Sequence, residues 1–259
     1  MSWRLGVVGF PIEHSLSPQL HRAGLALAGL EGSSERVELR DGESSKLRQF
    51  MSDRFDALSV TMPLKAVAAQ LCDSLDVVAT RTGVVNSLLA REGQIQGANT
   101  DGQGFVNAVE AEFSYSLAER RVVMLGAGGA AQAIVDAVVH AGAESVTVLG
   151  RSLANVDALT GRYDNVHDHF ETGRVDLIVN ATPVSSRGLP GEVVKGVSEA
   201  TVAVDIAYDP TMTPWRSLYQ VAGCRTTNGL GMLAYQAALQ MMWWWDCSID
   251  GAALLRAIQ

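Results

Sequence analysis

Lysine is scarce in this chain. Of its 20 lysine and arginine residues only Lys46, Lys65 and Lys195 are lysines. No run of basic residues offers a track for a phosphate backbone, and the formal net charge is −8, so nucleic acid is not an expected partner. Cysteine is equally sparse. Cys72, Cys224 and Cys247 are odd in number and far apart, which excludes a disulfide framework and CxxC metal spacing. The N-terminal "MSWRLGVVGFPIEHS" lacks the zones of a signal peptide. No apolar run approaches the roughly 18 residues of a membrane span. These absences describe a cytoplasmic, reduced protein with no membrane partner.

What is present is an alternation of strands and helices across 259 residues, near the length at which a second core forms. "RLGVVGF" (4–10) reads as a buried strand, followed by a helix over "SPQLHRAGLALAGL" with Ser17 as N-cap and Pro18 in its first turn. "RVELR" alternates as a strand, "KLRQFMS" has helical spacing, and "DALSVTM" is the next strand. "VVNSLLA" and "QIQGANT" flank "REG" as a hairpin. From Asp101 the texture changes to a helix, then strand, glycine turn, helix and strand, with further strands at "RVDLIVN" and "ATVAVDIA". A long apolar helix, "MLAYQAALQMMWWW", and a short final one close the chain.

"VVMLGAGGAA" gives G-x-G-x-x-A at Gly126, Gly128 and Ala131, after an apolar strand and opening a helix. There the glycines permit a tight turn and close approach of a pyrophosphate to the helix N-terminus. An NAD site places a carboxylate at the end of the next strand. Here "TVLGRS" offers Arg151 and Ser152 and no carboxylate, which favours NADP(H).

A nicotinamide enzyme must manage the oxygen that gains or loses a proton. No Cys/His set has the spacing of catalytic zinc, and "HDH" (167–169) reads as a solvated loop. None of the five tyrosines has a lysine four residues later. Attention falls on Lys65 and Asp101. A lysine can exchange a proton where an arginine cannot. Taken alone, Lys65 reads first as a surface lysine on a helix begun by Pro63, and Asp101 equally as an N-cap. Spacing does not join them.

Several motifs together resemble the shikimate dehydrogenase family, from residue 6 to about 236. They are "GFPIEHSLSPQLH", "SVTMPLK", "GVVN", "GANTDGQG", "GAGGAA", "NATP" (180–183), "DIAYDPTMTP" and "NGLGMLAYQAA". The resemblance implies an α/β fold with an N-terminal substrate domain and a Rossmann-like domain. The substrate domain would take residues 1–101 and 229–259, its C-terminal helices returning to it, and the Rossmann-like domain residues 102–228. It implies NADP-dependent, reversible reduction of 3-dehydroshikimate to shikimate in aromatic amino-acid biosynthesis, without a metal. Lys65 and Asp101 would be catalytic, with Ser15, Ser17, Thr61, Asn86, Asp101, Tyr208 and Gln236 binding substrate. Cofactor contacts would come from Gly126, Ala127, Gly128, Gly129, Ala130, Arg151, Ser152, Ala181, Thr182, Pro183, Ile206, Gly229 and Met232. A small-molecule substrate is the implied partner, for a monomer or homodimer. Rival readings are a quinate/shikimate or aminoshikimate dehydrogenase, a non-catalytic NADP(H) sensor and a methyltransferase. The chain departs from the family pattern at Ser59 (Asn in the pattern), Gly150, Asn155, Pro183 and Asn228.

Overall fold

The structure is a computed structural model that describes residues 2–170, 173–182 and 195–259. The chain divides into two compact units, Met1–Phe105 with Leu233–Gln259, and Val106–Met232. The expectation from sequence put the joins at residues 101 and 229.

In the first unit the order is β1 (Ser2–Gly9), α1 (Ser17–Ala28), β2 (Glu31–Glu38), α2 (Ser45–Asp53), β3 (Ala57–Val60), α3 (Lys65–Leu71), β4 (Ser74–Leu75), α4 (Val77–Thr82), β5 (Ser87–Arg91), β6 (Gln94–Ala98) and the start of α5 (Asp101–Phe113). Its six strands are ordered β2-β1-β3-β5-β6-β4. β1 runs parallel to β2 and β3, whereas β5 is antiparallel to β3 and β6. The hairpin expected at "REG" forms, with Glu92 and Gly93 both at positive φ (54° and 75°). Two positive φ values in a two-residue loop match the twist of the flanking strands.

The second unit runs β7 (Arg121–Leu125), α6 (Gly129–His140), β8 (Ser145–Leu149), α7 (Leu153–Thr160), β9 (Val166–His167), β10 (Leu177–Asn180), β11 (Val202–Asp205), α8 (Pro214–Val221) and β12 (Arg225–Thr227). Its six strands lie parallel in the order β12-β11-β10-β7-β8-β9. The order reverses between β10 and β7, which opens a crevice at their carboxyl ends. The chain ends with α9 (Leu230–Trp245) and α10 (Gly251–Arg256).

Strand alternation sorts the first unit's core into two clusters. Leu58 and Val60 of β3 join Leu47, Met51 and Ala68 of α2 and α3. Ala57 points the other way, to Leu20 and Leu25 of α1, Met241 and Trp244 of α9, and Leu254 of α10. The "WWW" run belongs to this second face. Trp244 donates its Nε1–H to Ser87 Oγ (2.8 Å), and Trp245 meets Trp3 edge-on at 6.0 Å between centroids.

Some local expectations need correction. α1 is capped by Leu16 without a side-chain bond, so Ser17 is its first helical residue and not its N-cap. β2 begins at Glu31, five residues before "RVELR", because it pairs along the whole of β1. α3 starts at Lys65 itself, with Leu64 as its cap, so Pro63 precedes the helix. His167 is no loop residue; it closes β9 opposite Thr147 of β8.

Where α5 passes α9 within this unit, Gly104 is required by space. A Cβ there would lie 2.5–2.6 Å from the Cβ, N and Cα of Gln236. Two of those atoms are backbone, so no rotamer change relieves the clash. Gly104→Ala is expected to cost about 1–3 kcal/mol of stability. Urea unfolding checks this, and an unchanged midpoint would contradict it.

Candidate active site

In the first unit, loops at the carboxyl ends of β1, β3 and β6 converge. The Phe10 N–H donates to the Met62 carbonyl (2.8 Å), tying the loop after β1 to the loop after β3. Thr61 sits on that second loop, its backbone N–H bonded to Val8 (2.9 Å). Its methyl fills the place that a Gly9 side chain would need. Ser15 and Ser17 face each other across 3.2 Å between their hydroxyl oxygens. Arg36 of β2 holds this pair from behind, donating to the Ser15 carbonyl through Nε (2.9 Å) and Nη2 (2.6 Å).

Lys65 and Asp101 meet. The Lys65 ammonium donates to Asp101 Oδ2, with the two side chains only 16% and 6% exposed. Each residue opens a helix, α3 and α5 respectively. A cation at a helix N-terminus opposes the helix dipole, whereas a carboxylate there is favoured, so the partner offsets an unfavourable placement. The other carboxylate oxygen, Oδ1, accepts from Asn86 Nδ2 (2.8 Å). That amide also reaches Thr100 Oγ1 and Gln236 Oε1, both at 3.0 Å. Asn86 Oδ1 accepts from the Thr100 N–H (2.9 Å). Five side chains from the loop before β5, the start of α3, the loop into α5, α5 and α9 thus form one buried network.

Thr100 and Asn99 were not among the expected site residues, although both lie inside the quoted "GANTDGQG". Asn99 Oδ1 accepts from the Asp101 N–H (3.0 Å), which sets the start of α5. Asp101 is therefore the first helical residue, its carboxylate turned to Lys65 and Asn86. Arg36 had no local signal.

In the second unit the expected cofactor residues gather at the carboxyl ends of the strands. Gly126 follows β7 at φ 111°, and a Cβ there would lie 2.9 Å from the Ala181 carbonyl oxygen after β10. Ala127 is buried, and Gly128 caps α6, which opens with Gly129 and Ala130. A Cβ on Gly128 would meet open space, so the fold alone does not require glycine there. Arg151 stands exposed after β8, and Ser152 caps α7 by accepting from the Asn155 N–H. Gly150 is crowded, since a Cβ there would lie 3.1 and 3.2 Å from side-chain atoms of Val156 and Ala127.

Thr182 donates its hydroxyl to Asn180 Oδ1 (2.7 Å), and Asn180 Nδ2 donates to Asp205 Oδ1 (3.1 Å). Thr213 donates to the other Asp205 oxygen. Burial is the main influence on Asp205 and pushes its carboxyl above the usual range. Ile206 follows directly, and a Cβ on Gly229 would overlap its carbonyl oxygen, so Gly229 is a steric necessity. Met232 is buried in the first turns of α9, and Tyr208 lies between β11 and α8. Pro183 lies outside the described residues. Among the described residues, no group of three His, Cys, Asp or Glu side chains could hold a metal ion, and no helix is long and apolar enough to cross a membrane.

Residues 7–88 match the family model of the shikimate dehydrogenase substrate binding domain, and residues 107–214 that of shikimate/quinate 5-dehydrogenase. A shikimate dehydrogenase (NADP(+)) of Exiguobacterium sp. is 34% identical over 246 residues, covering 93% of this chain and 92% of that protein. Its counterpart from Xanthomonas euvesicatoria pv. vesicatoria is 36% identical over 260 residues, covering 93% and 90%. The crystal structure of shikimate 5-dehydrogenase from Thermus thermophilus, in complex with NADP(H) and shikimate, superposes with a TM-score of 0.87. It is 34% identical and covers 98% of each chain. Likeness of this extent, in both units and in sequence as well as fold, makes the chain a member of the shikimate dehydrogenase family.

Proposed function

We propose that this protein is an NADP-dependent shikimate dehydrogenase, interconverting 3-dehydroshikimate and shikimate. The observation that carries the reading is the Lys65–Asp101 pair, largely buried and braced by Asn86. A structural ion pair gains little from such a site, whereas proton transfer needs one lysine held at one point.

The second unit fits the nucleotide. The open space at Gly128 lets a pyrophosphate approach the unpaired amides at the N-terminus of α6. Arg151 at the end of β8, with no carboxylate beside it, suits a ribose phosphate. Ala181, Thr182, Ile206, Gly229 and Met232 would line the remainder of the cofactor. NADPH, when bound, supplies hydride to the C3 carbonyl carbon.

The chain's own residues manage the oxygen. Lys65 donates a proton to the carbonyl oxygen as it becomes an alcohol, and takes one back in the reverse direction. Asp101 keeps the ammonium aimed, and Asn86 keeps Asp101 aimed. Ser15 and Ser17 offer hydroxyls for the substrate carboxylate, and Thr61, Asn86 and Gln236 offer partners for its hydroxyls. Arg36 contributes indirectly by fixing the Ser15 backbone.

The test is absorbance at the NADPH band with shikimate or quinate and each oxidised nucleotide. Shikimate with NADP+ is expected to give the largest kcat/KM. No reduction with any combination would refute the reading. Arg151 is the one cation at the end of β8, since Asn155 stands where the family pattern has a second base. Arg151→Gln is therefore expected to shrink the preference for NADP+ over NAD+ about tenfold, the worth of one charged hydrogen bond. Equal kcat/KM for both nucleotides in the unaltered protein would contradict that role.

A further inference from the structure

A row of polar groups in the first unit lies behind Asn86, and none of the chemistry above uses it. His21 of α1 is fully buried, with Nδ1 2.7 Å from Ser34 Oγ of β2 and Nε2 2.9 Å from Ser59 Oγ of β3. Ser59 Oγ lies 2.8 Å from Gln240 Oε1 of α9, and Gln240 Nε2 lies 2.8 Å from the Asn86 carbonyl oxygen.

The last member sets the direction of each bond from Gln240 back to His21 Nε2. A backbone carbonyl only accepts, so Gln240 turns its NH2 to Asn86 and its oxygen to Ser59. That oxygen also only accepts, so Ser59 donates its one proton there and must accept from His21. His21 then carries a proton on Nε2. A neutral ring has no other, so Nδ1 accepts from Ser34. Burial, with a smaller repulsion from Arg22, holds the ring neutral by driving its pKa down to about 3.

We propose that His21, Ser59 and Gln240 are positioning residues, a one-way hydrogen-bond chain that fixes Asn86 and through it the Asp101 carboxylate. This rests on the reading that Lys65 and Asp101 carry the reaction. The Asn86 carbonyl takes two donors, the Val60 N–H (2.7 Å) and Gln240. The same residue's side chain then presents Nδ2 to Asp101. Backbone anchored at one end and carboxylate held at the other make Asn86 a strut.

The chain also explains why Ser59 stands where the family pattern has asparagine. A serine hydroxyl ends one bond short of an amide, and Gln240 brings an amide from α9 to meet it. Ser59 Oγ already lies 2.8 Å from Gln240 Oε1, so the extra atoms of an asparagine at position 59 would crowd the Gln240 amide. The two positions are therefore coupled.

The experiment measures steady-state kinetics of Ser59→Ala, Ser59→Asn and the double variant Ser59→Asn/Gln240→Ala, beside the unaltered protein. Ser59→Ala is expected to lower kcat about tenfold or more, with KM for shikimate within about threefold, because misplacement of the proton-transfer pair weakens the transition state most. Ser59→Asn alone should be similarly impaired, and the double variant should recover to within about threefold of the unaltered protein. A second measurement needs no variant activity. The histidine nitrogen resonances of the 15N-labelled protein, with His21 assigned by its loss in His21→Gln, should show the Nε2–H form. An Nδ1–H form, or a Ser59→Ala kcat within about twofold of normal, would overturn the positioning chain alone. Failure of the double variant to recover would overturn the coupling. An unaltered protein inactive toward shikimate would sink the functional reading and the positioning claim with it.

Discussion

Lys65→Ala is expected to lower kcat by about 10²–10⁴, with a smaller effect on KM. The ammonium opens α3, is 16% exposed, and donates to a carboxylate that is itself 6% exposed. No other cationic side chain donates to Asp101 in the described hydrogen bonds and ion pairs, so none is placed to take over the proton. Removing the lysine leaves Asp101 with the Asn86 amide as its side-chain partner, and some stability is lost as well. Loss of fold and loss of chemistry separate cleanly here. The residues proposed to hold the nucleotide belong to the second unit, so NADPH binding, followed by fluorescence titration, should persist in the variant. A Lys65→Ala protein that binds NADPH and retains full kcat would remove Lys65 from the mechanism.

The second large effect is on stability in acid. His21 is fully buried, and its pKa is lowered from 6.5 to about 3, chiefly by burial. Its native pKa lies below the unfolded value, so the unfolded chain binds the extra proton. The stability that His21 allows is complete above pH 6.5 and declines as the pH falls from 6.5 toward 3. The slope is about 1.4 kcal/mol per pH unit, and the total approaches about 4–5 kcal/mol at the acid end. Carboxylates also titrate in this range, so the informative quantity is a difference. In urea unfolding at about pH 7, 5.5 and 4.5, His21→Gln is expected to be less stable than the unaltered protein at neutral pH. That gap should narrow by about 2.5 kcal/mol at the most acid of these. A gap constant with pH would show that His21 takes up its proton without cost in the native state.

Much of the fold could be read along the chain wherever local pattern and long-range packing agree. "DGQGFVNAVEAEF" coincides with α5, and "REG" becomes a hairpin because Glu92 and Gly93 can take positive φ. The strand–turn–helix at Gly126 is equally local. β2 was only half visible, since "EGSSE" is polar and owes its extended form to pairing with β1. α7 buries only Val156 and Leu159, too few to mark a stripe, and β4 and β9 have two residues each.

The site divides in the same way. Its residue types were legible, but Lys65 and Asp101 are 36 residues apart, and Asn86 and Gln236 are 150 apart. No periodicity joins such positions. The family motifs named them, and the β5–β6 hairpin, which returns the chain to the start of α5, brings Asp101 to Lys65. Gln240 carries a signal in the sequence. It lies four residues after Gln236 in an otherwise apolar helix, on the same face. Two amides at that spacing in a buried helix imply polar partners on the sheet beneath.

Reduction of 3-dehydroshikimate by NADPH, following both the nucleotide absorbance and the shikimate formed, tests the proposed chemistry most directly. Shikimate is expected to appear in step with NADPH loss, one for one, and Lys65→Ala is expected to slow both together. Intact NADPH after incubation with protein and 3-dehydroshikimate, or NADPH loss without shikimate, would contradict it.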